Sequence, residues 1–163
     1  MTIGFTIRPV SSDAHLKVAA GLFEAYAASL PIDLSHEGFA EEVTGLPGEY
    51  APPAGALLLA LDSAGEAAGC VGLRPLPIHG ACEMKRLYVA PACRGLGVGK
   101  ALGAAIIREA RNSGYSTMYL DTLPNMTAAQ FLYQDLGFER SSPYYSTPFD
   151  RMIFYRLEIA RLS

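Results

Sequence analysis

The 163-residue sequence predicts one α/β domain, a mixed sandwich in which a sheet of about seven strands lies between helices. Three observations predict it. Apolar residues recur at two periods in turn, every second residue in some stretches and at i, i+3, i+4 in others, giving the order β-α-α-β-β-β-α-β-α-β-β. No linker long or polar enough to divide the chain interrupts that order, so residues 1–163 read as a single domain. A glycine-rich turn, Arg94-Gly95-Leu96-Gly97-Val98-Gly99-Lys100, separates a strand-like run from a helical one.

Residues 3–9 form the first strand. Ser11, Ser12 and Asp13 offer helix caps, and Leu16, Ala19, Ala20, Phe23 and Ala27 make a helical stripe reaching about Ser29. A second helix is expected from about Ser35 to Thr44. The stretch LPGEYAPPAG (46–55), with three prolines and two glycines, is a loop. ALLLALD (56–62) reads as a buried strand, Ser63-Ala64-Gly65 as a turn, and EAAGCVGLRPL (66–76) as its hairpin partner. CEMKRLYV (82–89) is the next strand. Strict alternation places Glu83, Lys85, Leu87 and Val89 on one face and Met84, Arg86 and Tyr88 on the other. The helix from Val98 to Asn112 buries Leu102, Ala105, Ile106 and Ala110, and Gly114 stops it. TMYLDTL (117–123) is a fifth strand. Residues 126–136 are helical, with Ala128, Ala129, Leu132 and Leu136 as the inner stripe and Gly137 as the stop. MIFYRLEI (152–159) is the last strand. A parallel crossover through helix 98–112 should join strand 82–89 to strand 117–123.

Composition removes several function classes. Half the residues are hydrophobic and 18% are charged, enough to bury a substantial core. The net charge of −3 argues against a nucleic-acid partner. No apolar run approaches the ~20 residues of a membrane span, and MTIGFTIRPV lacks the basic start and apolar core of a signal peptide, so a cytoplasmic location is expected. Cys70, Cys82 and Cys93, spaced by 12 and 11 residues, match no zinc pattern and read as free thiols; Cys93 beside the glycine turn is either reactive or a small space-filler. His15, His36 and His79 are scattered, and no metal site is expected.

A strand, a glycine turn and a helix N-terminus together make an anion site. Glycine permits positive φ and close backbone approach, so successive N–H groups converge, and the helix dipole adds partial positive charge. Spacing decides whose phosphate it suits. The P-loop pattern needs glycine at 94 and a hydroxyl at 101, where the chain has Arg94 and Ala101. The dinucleotide pattern G-x-G-x-x-G fails from Gly95, where position 100 is lysine, and from Gly97, where Gly103 comes one place late. The pattern [Q/R]-x-x-G-x-[G/A] is met by Arg94, Gly97 and Gly99. Here the sequence resembles the GNAT N-acetyltransferase superfamily, whose loop of this form binds the pyrophosphate of coenzyme A. A second stretch, DTLPNMTAAQFLYQDLGF (121–138), resembles the same family through Asn125, Ala129, Tyr133, Gly137 and Phe138.

The resemblance implies a mostly antiparallel sheet in which strands 82–89 and 117–123 run parallel and splay apart to admit acetyl-CoA. It implies that backbone N–H groups from Gly95 through Leu96, Gly97, Val98, Gly99 and Lys100 to Ala101 meet the pyrophosphate. Arg94 adds charge there, and Lys100 either does the same or is a solvated first-turn residue. The strand edge at Leu87, Tyr88 and Val89 would hold the amide-rich pantetheine arm as an added strand, with an N–H near Val89 for the oxyanion. Ala129 lies on the cofactor side, and Asn125 either contacts the cofactor or caps the helix before Thr127. Tyr133 matches the family's general acid, which protonates the leaving thiolate, or else packs as an aromatic. Glu83 is the candidate base for the acceptor ammonium, or an ion-pair partner of Lys85.

What the resemblance implies is transfer of an acetyl group from acetyl-CoA to a primary amine in a ternary complex. The acceptor cleft would be walled by residues 22–46, which carry Glu24, Tyr26, Asp33, Glu37, Glu41 and Glu42 and no lysine or arginine, and by SSPYYSTPFDR (141–151) with Tyr144 and Tyr145. Those acidic residues suit a cationic amine and equally a solvated face; a small-molecule amine or amino acid is favoured over a protein. A non-catalytic acyl-CoA sensor and an ATP-binding protein are the competing classes. A homodimer through the C-terminal strands is compatible with the fold.

Overall fold

The computed structural model describes residues 4–35, 38–147, 149 and 151–159. Its strands are β1 (Phe5–Pro9), β2 (Ala56–Asp62), β3 (Ala67–Pro75), β4 (Ala81–Val89), β5 (Thr117–Thr122), β6 (Glu139–Ser141) and β7 (Ile153–Glu158). Its helices are α1 (Asp13–Ser29), α2 (Phe39–Thr44), α3 (Val98–Asn112) and α4 (Thr127–Asp135). The strands form one open sheet in the order β1-β2-β3-β4-β5-β7-β6. All neighbours are antiparallel except β4 and β5, which the α3 crossover makes parallel. The expected sandwich is therefore present, with seven strands and helices on both faces. No helix among the described residues is long and apolar enough to cross a membrane.

Two cores follow from the alternation of β2 and β3. Leu58, Val71 and Leu73 point towards α3, where Leu102, Ala105 and Ile106 meet them. Leu57, Leu59 and Cys70 point the other way, onto Ala19, Leu22 and Phe23 of α1 and onto Tyr50. Ser12 caps α1 by accepting from the His15 N–H at 3.1 Å, as its position before the apolar stripe led one to expect.

Gly72 of β3 lies against the Tyr50 ring, where an added Cβ would come within 2.6 Å of Cε1. Tyr50 is 2% exposed and its hydroxyl donates to Glu42 at 3.0 Å, so the ring has nowhere to go. Alanine in place of a strand glycine ordinarily gains about 0.5–1 kcal/mol. Here overpacking, at about 1–3 kcal/mol, outweighs that gain. Gly72→Ala should thus lower the urea midpoint; an unchanged or higher midpoint would mean the Tyr50 pocket yields.

The sheet departs from the sequence expectation at β4. Pairing with β3 runs from Cys82 opposite Pro75 to Lys85 opposite Gly72, then shifts, and resumes with Tyr88 opposite Cys70. Arg86 sits at the shift with φ 59°, a β-bulge that reverses the alternation. Glu83, Lys85, Arg86 and Tyr88 consequently share the α1 face, while Cys82, Met84, Leu87 and Val89 face α3. The expectation that Glu83 and Lys85 share a face with Leu87 and Val89 is corrected by this one extra residue.

Three smaller corrections concern helices. The second helix begins at Phe39, because Gly38 takes a left-handed φ of 73° and breaks the run from Ser35; His36 and Glu37 lie outside the described residues. The cap of α4 is Met126, with no side-chain bond, so Asn125 does not cap it. The buried residue of α4 is Tyr133, and Ala128, expected in the inner stripe, is exposed.

Candidate active site

β4 and β5 pair only between Ala81–Glu83 and Thr117–Tyr119. Beyond that they separate, so the β5-facing edge of Leu87, Tyr88 and Val89 carries no strand, while the other edge is engaged by β3. The gap opens into a cleft of about 460 Å³ bounded by the end of β4, the glycine loop, α4 and Tyr26 of α1.

The loop is fixed at both ends. Arg94 Nε donates to the Val89 carbonyl at 3.1 Å, and its guanidinium lies 5.8 Å from the Tyr88 ring centroid. Gly99 brings α3 close to α4, since a Cβ there would come 3.2 Å from a Leu132 methyl. Between these anchors Gly95 and Gly97 take φ of 80° and 82°, and Gly97 caps α3. A Cβ on Gly97 would meet nothing within 4 Å, so the N-terminus of the 15-residue α3 faces open space. Converging N–H groups, a helix dipole and an elongated cleft suit an anionic, chain-like guest, and the residues present fit a nucleotide pyrophosphate with an arm attached.

Of the residues expected to hold the cofactor, Leu87, Tyr88 and Val89 line the cleft from the strand. Arg94, Gly95, Gly97, Val98 and Gly99 line it from the loop, and Asn125, Ala129 and Tyr133 from the α4 side. Leu96, Lys100 and Ala101 do not. Leu96 is 40% exposed, Lys100 pairs with Asp135 at 2.8 Å on the surface, and the Ala101 N–H is taken by the Gly97 carbonyl. Cys93 also lines the cleft. The other two cysteines are buried away from it, and burial pushes both thiols up to about 12.

Tyr133 projects from α4 between Phe138 and Tyr155, with ring centroids 6.1 and 6.0 Å away. It is 6% exposed. Burial, followed by the charges of Tyr26 and Asp121, opposes ionisation and raises its phenol well above the usual range. Among the described residues its hydroxyl has no hydrogen-bond partner, and it borders the cleft.

Two carboxylates on the adjacent parallel strands receive the two tyrosines of the 142–147 segment. Glu83, 1% exposed, accepts from Arg74 Nε at 2.7 Å through Oε1 and from the Tyr144 hydroxyl through Oε2. Arg74, not Lys85, is therefore its ion-pair partner. Asp121 Oδ2 accepts from the Tyr145 hydroxyl, and Lys85 Nζ lies 3.8 Å from the same oxygen. Tyr144 and Tyr145 also pack on Phe154, at 5.5 and 5.3 Å. The aromatic wall expected at 144–145 is thus bolted to the sheet, and it borders a cavity of about 380 Å³ with Arg74, Ile78, Glu83 and Lys85.

A third pair closes the α1 side. Arg86 grips Glu42 of α2 with two bonds, Nε to Oε2 at 2.9 Å and Nη2 to Oε1 at 3.0 Å, and its guanidinium lies over the Tyr26 and Phe39 rings. The acidic segment expected to attract a cationic acceptor is in this part neutralised. Sequence reasoning missed Asp121, Arg74 and the Arg86–Glu42 pair. The available signal for Asp121 was the lone charged residue in the strand TMYLDT. A separate cavity of about 470 Å³ near Ser11–Asp13 and Pro52 does not connect with these groups.

Comparison with known proteins bears on this geometry. Residues 19–138 match the model of the acetyltransferase (GNAT) family. The chain is 39% identical over 140 residues to an uncharacterised N-acetyltransferase of Schizosaccharomyces pombe, covering 86% of each protein. Its fold is similar to that of a GNAT-family acetyltransferase of Staphylococcus aureus, with a TM-score of 0.79 at 19% identity over 96% of this chain and 99% of that one. An acetyltransferase of Salmonella typhimurium solved with its cofactor acetyl-CoA gives a TM-score of 0.69 at 20% identity, over 96% and 94%.

Proposed function

From the premise that the chain belongs to the acetyltransferase (GNAT) family, and so is an acetyltransferase, we propose that it moves the acetyl group of acetyl-CoA directly to the primary amine of a small molecule. One observation carries this reading: an open, glycine-lined helix N-terminus leads along an unpaired strand edge to the Tyr133 hydroxyl. Acetyl-CoA supplies an activated thioester. The backbone of Gly95–Gly99 holds its pyrophosphate, and the edge at Leu87–Val89 holds its amide-rich arm. A backbone N–H near Val89 meets charge developing on the carbonyl oxygen, an interaction worth about 3 kcal/mol when preorganised. Tyr133, un-ionised at neutral pH, donates a hydrogen bond to the departing sulfur and passes its proton there as the amine nitrogen sheds its own.

A small acceptor is favoured by the size of the space on the acceptor side. The space beside Tyr144 and Tyr145, about 380 Å³, suits a molecule of amino-acid to antibiotic size.

Calorimetric titration with acetyl-CoA, with ATP and NAD as controls, tests the cofactor assignment. Micromolar binding of acetyl-CoA alone is expected; binding of ATP in its place would withdraw the reading. Thiol release in the presence of primary amines then tests transfer and separates an enzyme from an acyl-CoA sensor. Tyr133→Phe is expected to lower turnover at least about tenfold, the lower range for a lost acid being ~100-fold, with acetyl-CoA affinity within about threefold. Unchanged turnover would make Tyr133 a packing residue.

A further inference from the structure

Where β4 and β5 part, a cavity of about 10 Å³ lies between Lys85, Arg86 and Leu87 of β4, Asp121 of β5, Tyr26 of α1 and Tyr133 of α4. That is the scale of a single water, and such a site holds one only when two to four polar groups line it, as they do here. The cavity touches the coenzyme cleft through Tyr133, Tyr26 and Leu87 and the acceptor cavity through Lys85, while Tyr145 of that cavity's wall reaches Asp121 with its hydroxyl.

The two candidate carboxylates differ in one respect. Both oxygens of Glu83 are engaged, by Arg74 and by Tyr144. In Asp121 the contacts from Tyr145 and Lys85 fall on Oδ2. Among the described residues Oδ1 takes no hydrogen bond, and it is not sealed from solvent. A carboxylate that must accept a proton needs a free lone pair within reach, directly or through one water.

We propose that Asp121, acting through one water in the cavity it shares with Tyr133, takes the proton of the acceptor ammonium. This rests on the acetyl-transfer reading above. The acceptor ammonium passes one proton through the water to Asp121 and becomes a free amine. As the new C–N bond forms and the C–S bond breaks, Tyr133 gives its phenolic proton to the sulfur. The nitrogen then sheds its second proton, which returns through the same water to Tyr133. Asp121 releases the first to solvent, so one proton is set free per acetyl group moved. The relay also explains the setting of Tyr133. Burial and neighbouring charge make a lasting tyrosinate costly there, so its proton must be replaced at once. Among the described residues, the charged and titratable groups facing Asp121 are Lys85 and Arg86 from β4, Tyr26 from α1, Tyr133 from α4, and Tyr144 and Tyr145.

The test is the pH dependence of kcat/KM for thiol release from acetyl-CoA, using the fastest amine from a panel of primary amines and amino acids. Wild-type protein should level off near neutral pH, well below the pKa of the chosen amine, ~10.4 for one of the lysine side-chain type. Asp121→Asn should be slower by about a hundredfold at pH 7 and climb about tenfold per pH unit towards that value, because only free amine reacts. Its acetyl-CoA affinity by calorimetry should stay within threefold. An Asp121→Asn profile parallel to wild type overturns the assignment, as does a wild-type rate that itself tracks the free amine. If Asp121→Asn cannot bind acetyl-CoA, Asp121→Glu decides, a retained plateau supporting the assignment and a climbing profile overturning it. Thiol release with no amine at all in the wild type removes the acetyl-transfer reading and this one with it.

Discussion

Gly97→Val is expected to abolish measurable acetyl-CoA binding, a loss beyond a hundredfold, in a protein that still folds. Gly97 holds φ at 82°, which costs a side-chain-bearing residue about 1–2 kcal/mol. Nothing lies within 4 Å of the Cβ that would be added, so packing does not forbid valine. What it does is fill the open approach to the first N–H groups of α3 and push the loop towards negative φ, turning those groups off their common point. Strain and obstruction can be separated. Gly114, just beyond the other end of α3, has φ 90° and open space around its Cβ position, but lies away from the cleft. Gly114→Val should lose comparable stability and keep acetyl-CoA affinity. Calorimetry and thermal unfolding on the two variants check both statements. Normal affinity in Gly97→Val would displace the loop from the site.

The glycine loop was legible because its information is local: the turn, its positive-φ positions and the following helix all lie between Arg94 and Asn112. The strand and helix order was legible for the same reason, each element repeating its own period. The bulge at Arg86 was not. It depends on how β4 registers against β3 and on Glu42, 44 residues away in the chain, and neither leaves a trace in the pattern CEMKRLYV. The error spread, because one extra residue moved Glu83 to the face opposite Val89. The carboxylate pairings were hidden likewise: Glu83 meets Tyr144 across 61 residues, and Asp121 meets Tyr145 across 24. Lys85 was the nearest cation in sequence to Glu83, yet Arg74, directly across the hairpin, took the bond. Residue types named the participants; the sheet register assigned Arg74 to Glu83, and the folding back of the 142–147 segment and of α2 assigned the rest.

Arg86→Met is expected to cost about 3–5 kcal/mol of stability, the range for removing one partner of a buried pair. The side chain of Arg86 is 2% exposed and that of Glu42 14%, so little water can replace what is lost. Arg86 also holds a left-handed φ of 59°, unfavourable for any residue with a Cβ by about 1–2 kcal/mol. Such strain persists only where the surroundings over-determine it, here through two hydrogen bonds and two aromatic rings. Arg86→Lys keeps the charge but not the two-pronged grip, and should fall between wild type and Arg86→Met. The pH dependence identifies the cause. Burial by itself raises the Glu42 carboxyl, but Arg86, by hydrogen bond and charge, together with the Tyr50 hydrogen bond and the charge of Lys85, outweighs burial and holds it below its ordinary 4.5. A depressed carboxyl stabilises the fold above its unfolded value and loses that contribution as pH falls through its folded value. Wild-type protein should therefore weaken through this group as pH falls below the ordinary carboxyl value of 4.5. In Arg86→Met burial is opposed only by the Tyr50 hydrogen bond and the charge of Lys85, so the carboxyl is held down less and the gap between the two proteins narrows in acid. Urea unfolding at pH 7 and pH 4 measures that gap; a gap that stays constant would place the loss in packing instead of in the ion pair.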